Sequence, residues 1–331
     1  MTAKKDEPLN IVVALSHDAD PYSALRDALA ATDIPADRYQ LARSLGKKDF
    51  EDKIGDVDVA IVWHFAPELL RKAKRLKWVH FAMAGVDDAL HPALVESPVL
   101  VTSSVSVHAQ PVAEHAFAMI LAFARGLVIA SANQHERRWA RREVVYSIHE
   151  LHDMTLGVVG LGHIGRAVAG LGKAFGMHVL GVSRHGAPVE NVDEVYPPDG
   201  LAKLLTRADF VVLCVPLTAE TRGIIGVDEF RLMKETAYLI NVGRGPLVRE
   251  DMLLEALRHR WIAGAGLDVF EKEPLLPDHP LYNLDNVIIS PHVAGVTPHY
   301  WERMAKLFVD NFQKFLAGEE PPTKVDKERG Y

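Results

Sequence analysis

Arg244, Glu273 and His292 are residue types that together can reduce a carbonyl lying beside a carboxylate. Such chemistry needs a cation to hold the carboxylate and polarise the carbonyl, and an acid to protonate the alkoxide as it forms. Arg244 suits the first task because its planar fork pairs with a carboxylate through two bonds. His292 suits the second because an imidazole exchanges protons near neutral pH. Glu273 can accept a hydrogen bond from that histidine, fixing its tautomer and favouring its protonated form. Taken singly, each has a plainer reading. The chain holds 16 histidines, an arginine can merely cap a turn, and Glu273 lies in a Glu/Lys/Pro loop of a kind that is ordinarily solvated.

Their placement joins them. The apolar run 237–242 reads as a strand ending in Gly243-Arg244-Gly245; a second, 262–269, ends near Asp268; a third, 287–290, ends in Pro291-His292. In an open α/β sheet, ligands bind beyond the carboxyl ends of the strands. The stretch that organises these strands is 155–184. Leu156-Gly157-Val158-Val159 reads as a buried strand, Gly160-Leu161-Gly162-His163-Ile164-Gly165 fits G-x-G-x-x-G, a helical pattern runs to Phe175, and Val179-Leu180-Gly181-Val182 is the next strand. Strand, glycine turn, helix and strand in this order form a dinucleotide-binding fingerprint. Gly160 permits the tight turn, Gly162 lets backbone amides approach a pyrophosphate, and Gly165 lets helix and strand pack closely. The helix N-terminus offers N–H groups and partial positive charge to the phosphates. Asp268 could receive a nicotinamide carboxamide or tune the acid–base network.

The first third reads as a smaller α/β unit. Strands are expected at 10–15, 57–63, 78–82 and 99–102, with helices at 22–30 and 68–74, the latter opened by Pro67. Strands alternating with helices imply a parallel sheet with covered faces. Ser16-His17-Asp18-Ala19-Asp20 stands where a glycine fingerprint would follow the first strand, so this unit is not expected to hold the dinucleotide. Ala84 and Gly85, in a small-residue loop after a strand, can turn N–H groups toward an anion; a plain turn is the other reading. Residues 108–126 form a long helix, apolar nearly all round and therefore buried. Residues 139–153 read as polar and irregular. The basic cluster Arg137, Arg138, Arg141 and Arg142 around Trp139 reads as a solvated helix end or a subunit contact.

Composition narrows the rest. The 331 residues suffice for two domains, and 48% are hydrophobic and 24% charged. A net charge of −7 without a basic stripe argues against nucleic acid as partner. Cys214 is the one cysteine, so an internal disulfide or a Cys-rich metal site is excluded, and no metal is expected. Residues 1–8 carry no apolar signal core and no apolar run could span a bilayer, so a soluble, cytoplasmic protein with no membrane partner is expected.

Motifs along nearly the whole chain resemble those of the D-isomer-specific 2-hydroxyacid dehydrogenase family. They are Ala84-Gly85-Val86-Asp87, the run from Gly160 to Gly165, Val215-Pro216-Leu217-Thr218 with Thr221, and Ile240-Asn241-Val242-Gly243-Arg244-Gly245. The run Gly266 to Leu275, containing Asp268 and Glu273, and Ser290-Pro291-His292-Val293-Ala294-Gly295 complete the set. The resemblance implies an α/β fold of two doubly wound parallel-sheet domains with a cleft between them. A flavodoxin-like substrate domain would take residues 1–107 and a Rossmann-type coenzyme domain 108–298. Residues 299–331 would return to the first domain as a helix and tail. It further implies that Arg244 binds the substrate carboxylate, that Glu273 and His292 are the acid–base pair, and that Ala84 and Gly85 contact the carboxylate. The coenzyme would be held by Gly160, Gly162, His163, Ile164, Gly165, Ser183, Arg184, Val215, Pro216, Thr221, Val242, Gly243, Arg244, Asp268, His292 and Gly295. The long helix from His108 would lie in a homodimer interface.

One departure bears on coenzyme choice. Many relatives carry an acidic residue after the strand that follows the fingerprint helix, where it binds the ribose hydroxyls of NAD. Here Ser183-Arg184 stands there, removing a charge that would repel a 2′-phosphate and adding one that pairs with it. NADP is therefore expected in preference to NAD. The expected substrate is a small 2-keto acid, glyoxylate or hydroxypyruvate first, reduced to the D-hydroxy acid where the product is chiral. Within the family, formate dehydrogenases carry glutamine where Glu273 stands and are disfavoured. Phosphite and phosphoglycerate dehydrogenases stay open, as does a nucleotide-sensing corepressor, for which no added partner-binding extension is seen.

Overall fold

The computed structural model describes residues 7–15, 20–86 and 89–330. Residues 1–6, 16–19, 87, 88 and 331 lie outside the described residues, and with them most of the Ser16-His17-Asp18-Ala19-Asp20 stretch and Asp87 of the small-residue motif. The chain forms two compact units, one running to His108 and resumed from Thr297 onward, the other Ala109–Val296.

The first unit is built on five parallel strands: β1 (Leu9–Ala14), β2 (Tyr39–Arg43), β3 (Val59–Val62), β4 (Trp78–Phe81) and β5 (Leu100–Ser103), in the order β2-β1-β3-β4-β5. This is the flavodoxin-like order. Strand alternation sorts β4 between two cores. Val79 and Phe81 face Phe50, Ile54 and Leu94, while Trp78 faces Leu25, Leu29, Phe308 and Phe312. The last two belong to the helix Tyr300–Ala317, stopped by Gly318 in the left-handed conformation (φ 72°). Trp78 and Phe308 stack with centroids 4.9 Å apart. β2 is not evident in the sequence, because as a half-exposed edge strand it carries no apolar run.

The second unit has seven parallel strands: β6 (Thr155–Val159), β7 (His178–Val182), β8 (Glu194–Tyr196), β9 (Phe210–Leu213), β10 (Tyr238–Asn241), β11 (Gly264–Leu267) and β12 (Val287–Ile289). Their order is β12-β11-β10-β9-β6-β7-β8. The chain moves outward from β6 on one side and then on the other, a switch point of the Rossmann kind. Register aligns the ends of these strands. Val159 pairs with Val182 and Leu213, Leu213 with Asn241, Asn241 with Leu267, and Leu267 with Ile289. The segments beginning at Gly160, Ser183, Cys214, Val242, Asp268 and Ser290 therefore leave the sheet along one edge.

The long helix Ala109–Ala124 packs within this unit, placing Ala113, Phe117 and Ile120 against Leu156, Val158 and Ile240. Among the described residues no single helix is long and apolar enough to cross a membrane. The region read as irregular, 139–153, corrects to a polar stretch containing the short helix Arg141–Val145, after a helix at Leu127–His135. Its polar sequence has no apolar period to reveal it, and Arg138 ties it down through Glu136 and Glu143. Cys214 follows β9, where burial pushes its thiol up to about 12 and leaves it inert.

Candidate active site

The fingerprint loop shows three glycines under different constraints. Gly160 has φ 99°, and a Cβ there would stand 2.7 Å from the Val215 nitrogen. A Cβ on Gly165 would lie 1.8 Å from the Gly160 carbonyl oxygen. Both are required by the turn and by the helix–strand contact. A Cβ on Gly162 would meet nothing within 4 Å, so packing does not require that glycine. It caps the helix His163–Ala174, whose first intrahelical bond runs from Arg166 N–H to the Gly162 carbonyl at 2.9 Å. The amides of its first turn, those of His163, Ile164 and Gly165, have no intrahelical acceptor. Open space before a ring of N–H groups at a positive helix end fits a pyrophosphate. His163 stands there with its pKa lowered by burial and by the Arg166 charge, so its imidazole favours the neutral form.

The neighbouring strand ends complete this edge. Val215 and Pro216 follow β9, and the Pro216 carbonyl accepts a 2.7 Å bond from the Thr221 hydroxyl, which itself accepts from the Thr218 amide at 2.8 Å. Ser183 follows β7 and donates its amide to Tyr196 of β8 at 3.0 Å. Arg184 is exposed beside it, and its charge reaches Glu220, whose carboxyl is held low first by the Thr218 hydroxyl and lastly by Arg184.

The loop after β10 carries Val242, Gly243 and Arg244. Asn241, at the strand's last position, shapes it: its side-chain amide donates to the Arg244 carbonyl at 3.0 Å and its oxygen accepts from Gly243 N–H at 3.1 Å. Arg244 donates to the Gly243 carbonyl at 3.0 Å. Behind it, a Cβ on Gly245 would lie 1.9 Å from the backbone of Phe270, so the arginine loop and the segment leading to Glu273 are in direct backbone contact.

His292 Nδ1 lies 2.7 Å from Glu273 Oε2. The other glutamate oxygen accepts from Phe270 N–H at 3.1 Å, which holds the carboxylate in place. With Nδ1 engaged, Nε2 is the nitrogen left to face a ligand, and the side chain is 51% exposed. His292 adopts φ 54°, unusual for a residue other than glycine. Asp268, 1% exposed, holds that conformation. Its carbonyl accepts His292 N–H at 2.8 Å, and its carboxylate accepts from Val293 and Ala294 amides at 2.9 Å each and from the Ser290 hydroxyl at 2.6 Å. Ser290 in turn accepts from His115 Nε2 at 2.8 Å. Gly295 lies in the turn closed by Val296 N–H on the Val293 carbonyl. Asp268 thus bonds directly into the loop that carries His292. In the other unit, Ala84 and Gly85 follow β4 in a partly buried loop.

These observations agree with what comparison finds. A sequence model of the D-isomer specific 2-hydroxyacid dehydrogenase NAD binding domain matches residues 117–294. The chain belongs to the D-isomer specific 2-hydroxyacid dehydrogenase family. It is 37% identical to a glyoxylate reductase of Thermococcus gammatolerans over 86% of this chain and 88% of that protein. It is 38% identical to one of Korarchaeum cryptofilum over 85% of this chain and 86% of that protein. Among solved structures, a family member from Xanthobacter autotrophicus in complex with NADPH and MES superposes with a TM-score of 0.86 at 31% identity, covering 98% of this chain and all of that one. An NADPH-dependent glyoxylate/hydroxypyruvate reductase from Sinorhizobium meliloti gives 0.83 at 30% identity, with the same coverage. The chain is an oxidoreductase of this family, acting with a nicotinamide coenzyme on small 2-keto and D-2-hydroxy acids.

Several supporting residues are not singled out by the sequence. Asn241, Ser290 and Gly245 lie inside recognisable motifs, but other members of those motifs carry the evident chemistry. His115 sits in a helix that reads as apolar nearly all round. Glu250 accepts from the Glu271 amide at 3.4 Å and pairs with His279 at 3.0 Å, holding the Glu273 segment from below. Its partners lie 21 and 29 residues away, beyond any local pattern.

Proposed function

We propose that this protein is an NADPH-preferring reductase of small 2-keto acids, with glyoxylate and hydroxypyruvate as leading substrates, yielding the D-hydroxy acid where the product is chiral. The observation that carries the reading is the 2.7 Å His292–Glu273 pair at the strand-end edge shared with the arginine loop and the fingerprint. The nicotinamide supplies the hydride when bound. Gly160, Gly162, His163, Ile164 and Gly165 would hold its pyrophosphate, with Val215, Pro216, Thr221, Val242, Gly243 and Gly295 lining the rest. Ser183 and Arg184 would take the 2′-phosphate, a role supported by the absence of a carboxylate at that strand end and by the NADPH-bound relatives.

The chain's own residues do the rest. Arg244 binds the substrate carboxylate and polarises the ketone. His292 gives its Nε2 proton to the alkoxide oxygen, and Glu273 stabilises the imidazolium before transfer and fixes the ring afterwards. Asp268 holds the strained His292 backbone in place. Ala84 and Gly85 present amides to the carboxylate, and their small size favours a small acid.

The exposed apolar side chains of Trp139 (94% exposed), Tyr146, Leu127 and Val145 support a homodimer through this region. Light scattering should return twice the 36.6 kDa chain mass; the monomer mass at micromolar concentration would contradict it. The functional reading is tested by a panel of glyoxylate, hydroxypyruvate, pyruvate, 3-phosphohydroxypyruvate and phosphite with both coenzymes. Highest kcat/KM is expected for glyoxylate or hydroxypyruvate with NADPH. Phosphite turnover without keto-acid reduction, or equal use of NADH, would overturn it.

A further inference from the structure

We propose that His80, wholly buried under the end of β4, is a positioning residue that orients the substrate-carboxylate loop, residues 82–86, through a one-way chain of hydrogen bonds. The inference rests on the reading of Ala84 and Gly85 as carboxylate contacts.

The chain begins at a group that can only donate. Trp78 Nε1–H donates to Thr102 Oγ1 at 2.8 Å. Thr102 can then give its own proton to His80 Nδ1, 2.7 Å away. That places the imidazole hydrogen on Nε2, which donates to Ser104 Oγ at 3.1 Å. Ser104 passes its proton to the Phe81 carbonyl at 3.2 Å, a group that can only accept. Run this way, each hydroxyl proton meets an acceptor; run the other way, Thr102 would accept from both rings and its own proton would meet none of these groups. The phenol of Tyr300, beside Ser104 and kept protonated by burial, which raises its pKa, gives its one proton to the Ala82 carbonyl at 2.5 Å. Both branches therefore end on carbonyls at the entrance of the loop.

The last link sets the amide. Ser104 N–H donates to the Met83 carbonyl at 2.8 Å. In a trans peptide the C=O and the following N–H point in opposite directions, so fixing the Met83 carbonyl on Ser104 turns the Ala84 N–H away from it. Packing alone does not call for a histidine here. His80 shares its face with Trp78 and Phe308, the latter 5.4 Å away edge-on, and a leucine would suit those neighbours. Burial holds the imidazole neutral, pushing its pKa down to about 3, which keeps the donor at one end and the acceptor at the other throughout the working pH range. Trp78, His80, Thr102 and Ser104 are all inaccessible to water, so no solvent can replace a lost link.

The test is steady-state reduction of glyoxylate with NADPH by the full-length enzyme and its His80→Leu, His80→Gln, Ser104→Ala and Arg244→Ala variants. His80→Leu and Ser104→Ala should raise KM for glyoxylate about tenfold, the scale of one misdirected bond to a charged group. Their kcat and KM for NADPH should stay within about twofold of wild type on the same scale. His80→Gln, which keeps one donor and one acceptor, should restore most of the loss. Unchanged KM in both, a parallel decline of kcat and coenzyme binding, or no rescue by glutamine would overturn the proposal. If His80→Leu does not fold, Ser104→Ala and Tyr300→Phe carry the same expectation. An active wild type with a defective Arg244→Ala but normal His80 and Ser104 variants would defeat this inference alone. A wild type that reduces no keto acid would defeat both it and the proposed function.

Discussion

His80 and His292 both stand near carboxyl ends of parallel strands, one in each unit, yet their partners give them opposite characters. His292 is half exposed and meets a carboxylate at 2.7 Å. His80 is fully buried and meets two hydroxyls at 2.7 and 3.1 Å. A carboxylate accepts from the ring N–H and fixes how the ring is turned, while burial between hydroxyls keeps the other ring neutral. The first arrangement suits a group that must give up a proton during turnover. The second suits a group that must never do so, because its value lies in keeping its bonds directed. Residue type alone does not distinguish an acid from a strut; the partners do.

The largest effect that sharpens this contrast is expected at His292. His292→Ala should lower kcat by about 10²–10⁴, the range for loss of a general acid, with the melting temperature little changed because the side chain is half exposed. A variant that kept most of its kcat with every keto acid tried would remove His292 from the mechanism. The corresponding loss at His80 should appear in KM.

What the chain reveals on reading divides in the same way. The fingerprint and the roles proposed for Arg244, Glu273 and His292 can be read from the chain because that chemistry asks for particular residue types at or just beyond strand ends, and strand ends announce themselves as apolar runs that stop. Ser183-Arg184 is legible as a departure at a place where a carboxylate is expected. The His80 chain is not. Residues 78–82 read as one apolar strand, and the partners Thr102, Ser104 and Tyr300 lie 22, 24 and 218 residues from the groups they bond. The support of His292 by Asp268, Ser290 and His115 is hidden in the same way, since His115 bonds a residue 175 positions away. β2 and β8 escape notice because edge strands need no apolar run.

A smaller effect concerns the coenzyme. Ser183→Asp combined with Arg184→Ala should shift the NADPH/NADH ratio of kcat/KM toward NADH by roughly 10- to 100-fold, the scale of one or two charge-assisted bonds. Measured ratios that stay put would assign the 2′-phosphate to other groups. This edit lies in the coenzyme unit and should leave KM for glyoxylate near its wild-type value, unlike substitutions at His80.

The smallest effect is on stability against pH. The folded value of about 3 for His80 lies below the ordinary 6.5, so between these values the unfolded chain binds a proton that the folded chain does not. The stabilisation from this group is complete above about 6.5 and is lost as pH falls toward 3. His80→Gln should therefore gain on the wild type, by a few degrees in melting temperature, as pH drops from about 7 to about 5. A constant gap between the two across that range would show that His80 is not held neutral.

The pairing of Glu273 with His292 carries the account, and kcat for glyoxylate reduction tests it most directly. Glu273→Ala removes the partner 2.7 Å from His292 Nδ1 and should lower kcat by about 10- to 100-fold, the scale of one charge-assisted bond, with KM for NADPH near its wild-type value. Glu273→Gln, which still accepts through its amide oxygen, should lose less. A Glu273→Ala variant that keeps the wild-type kcat would contradict the assignment.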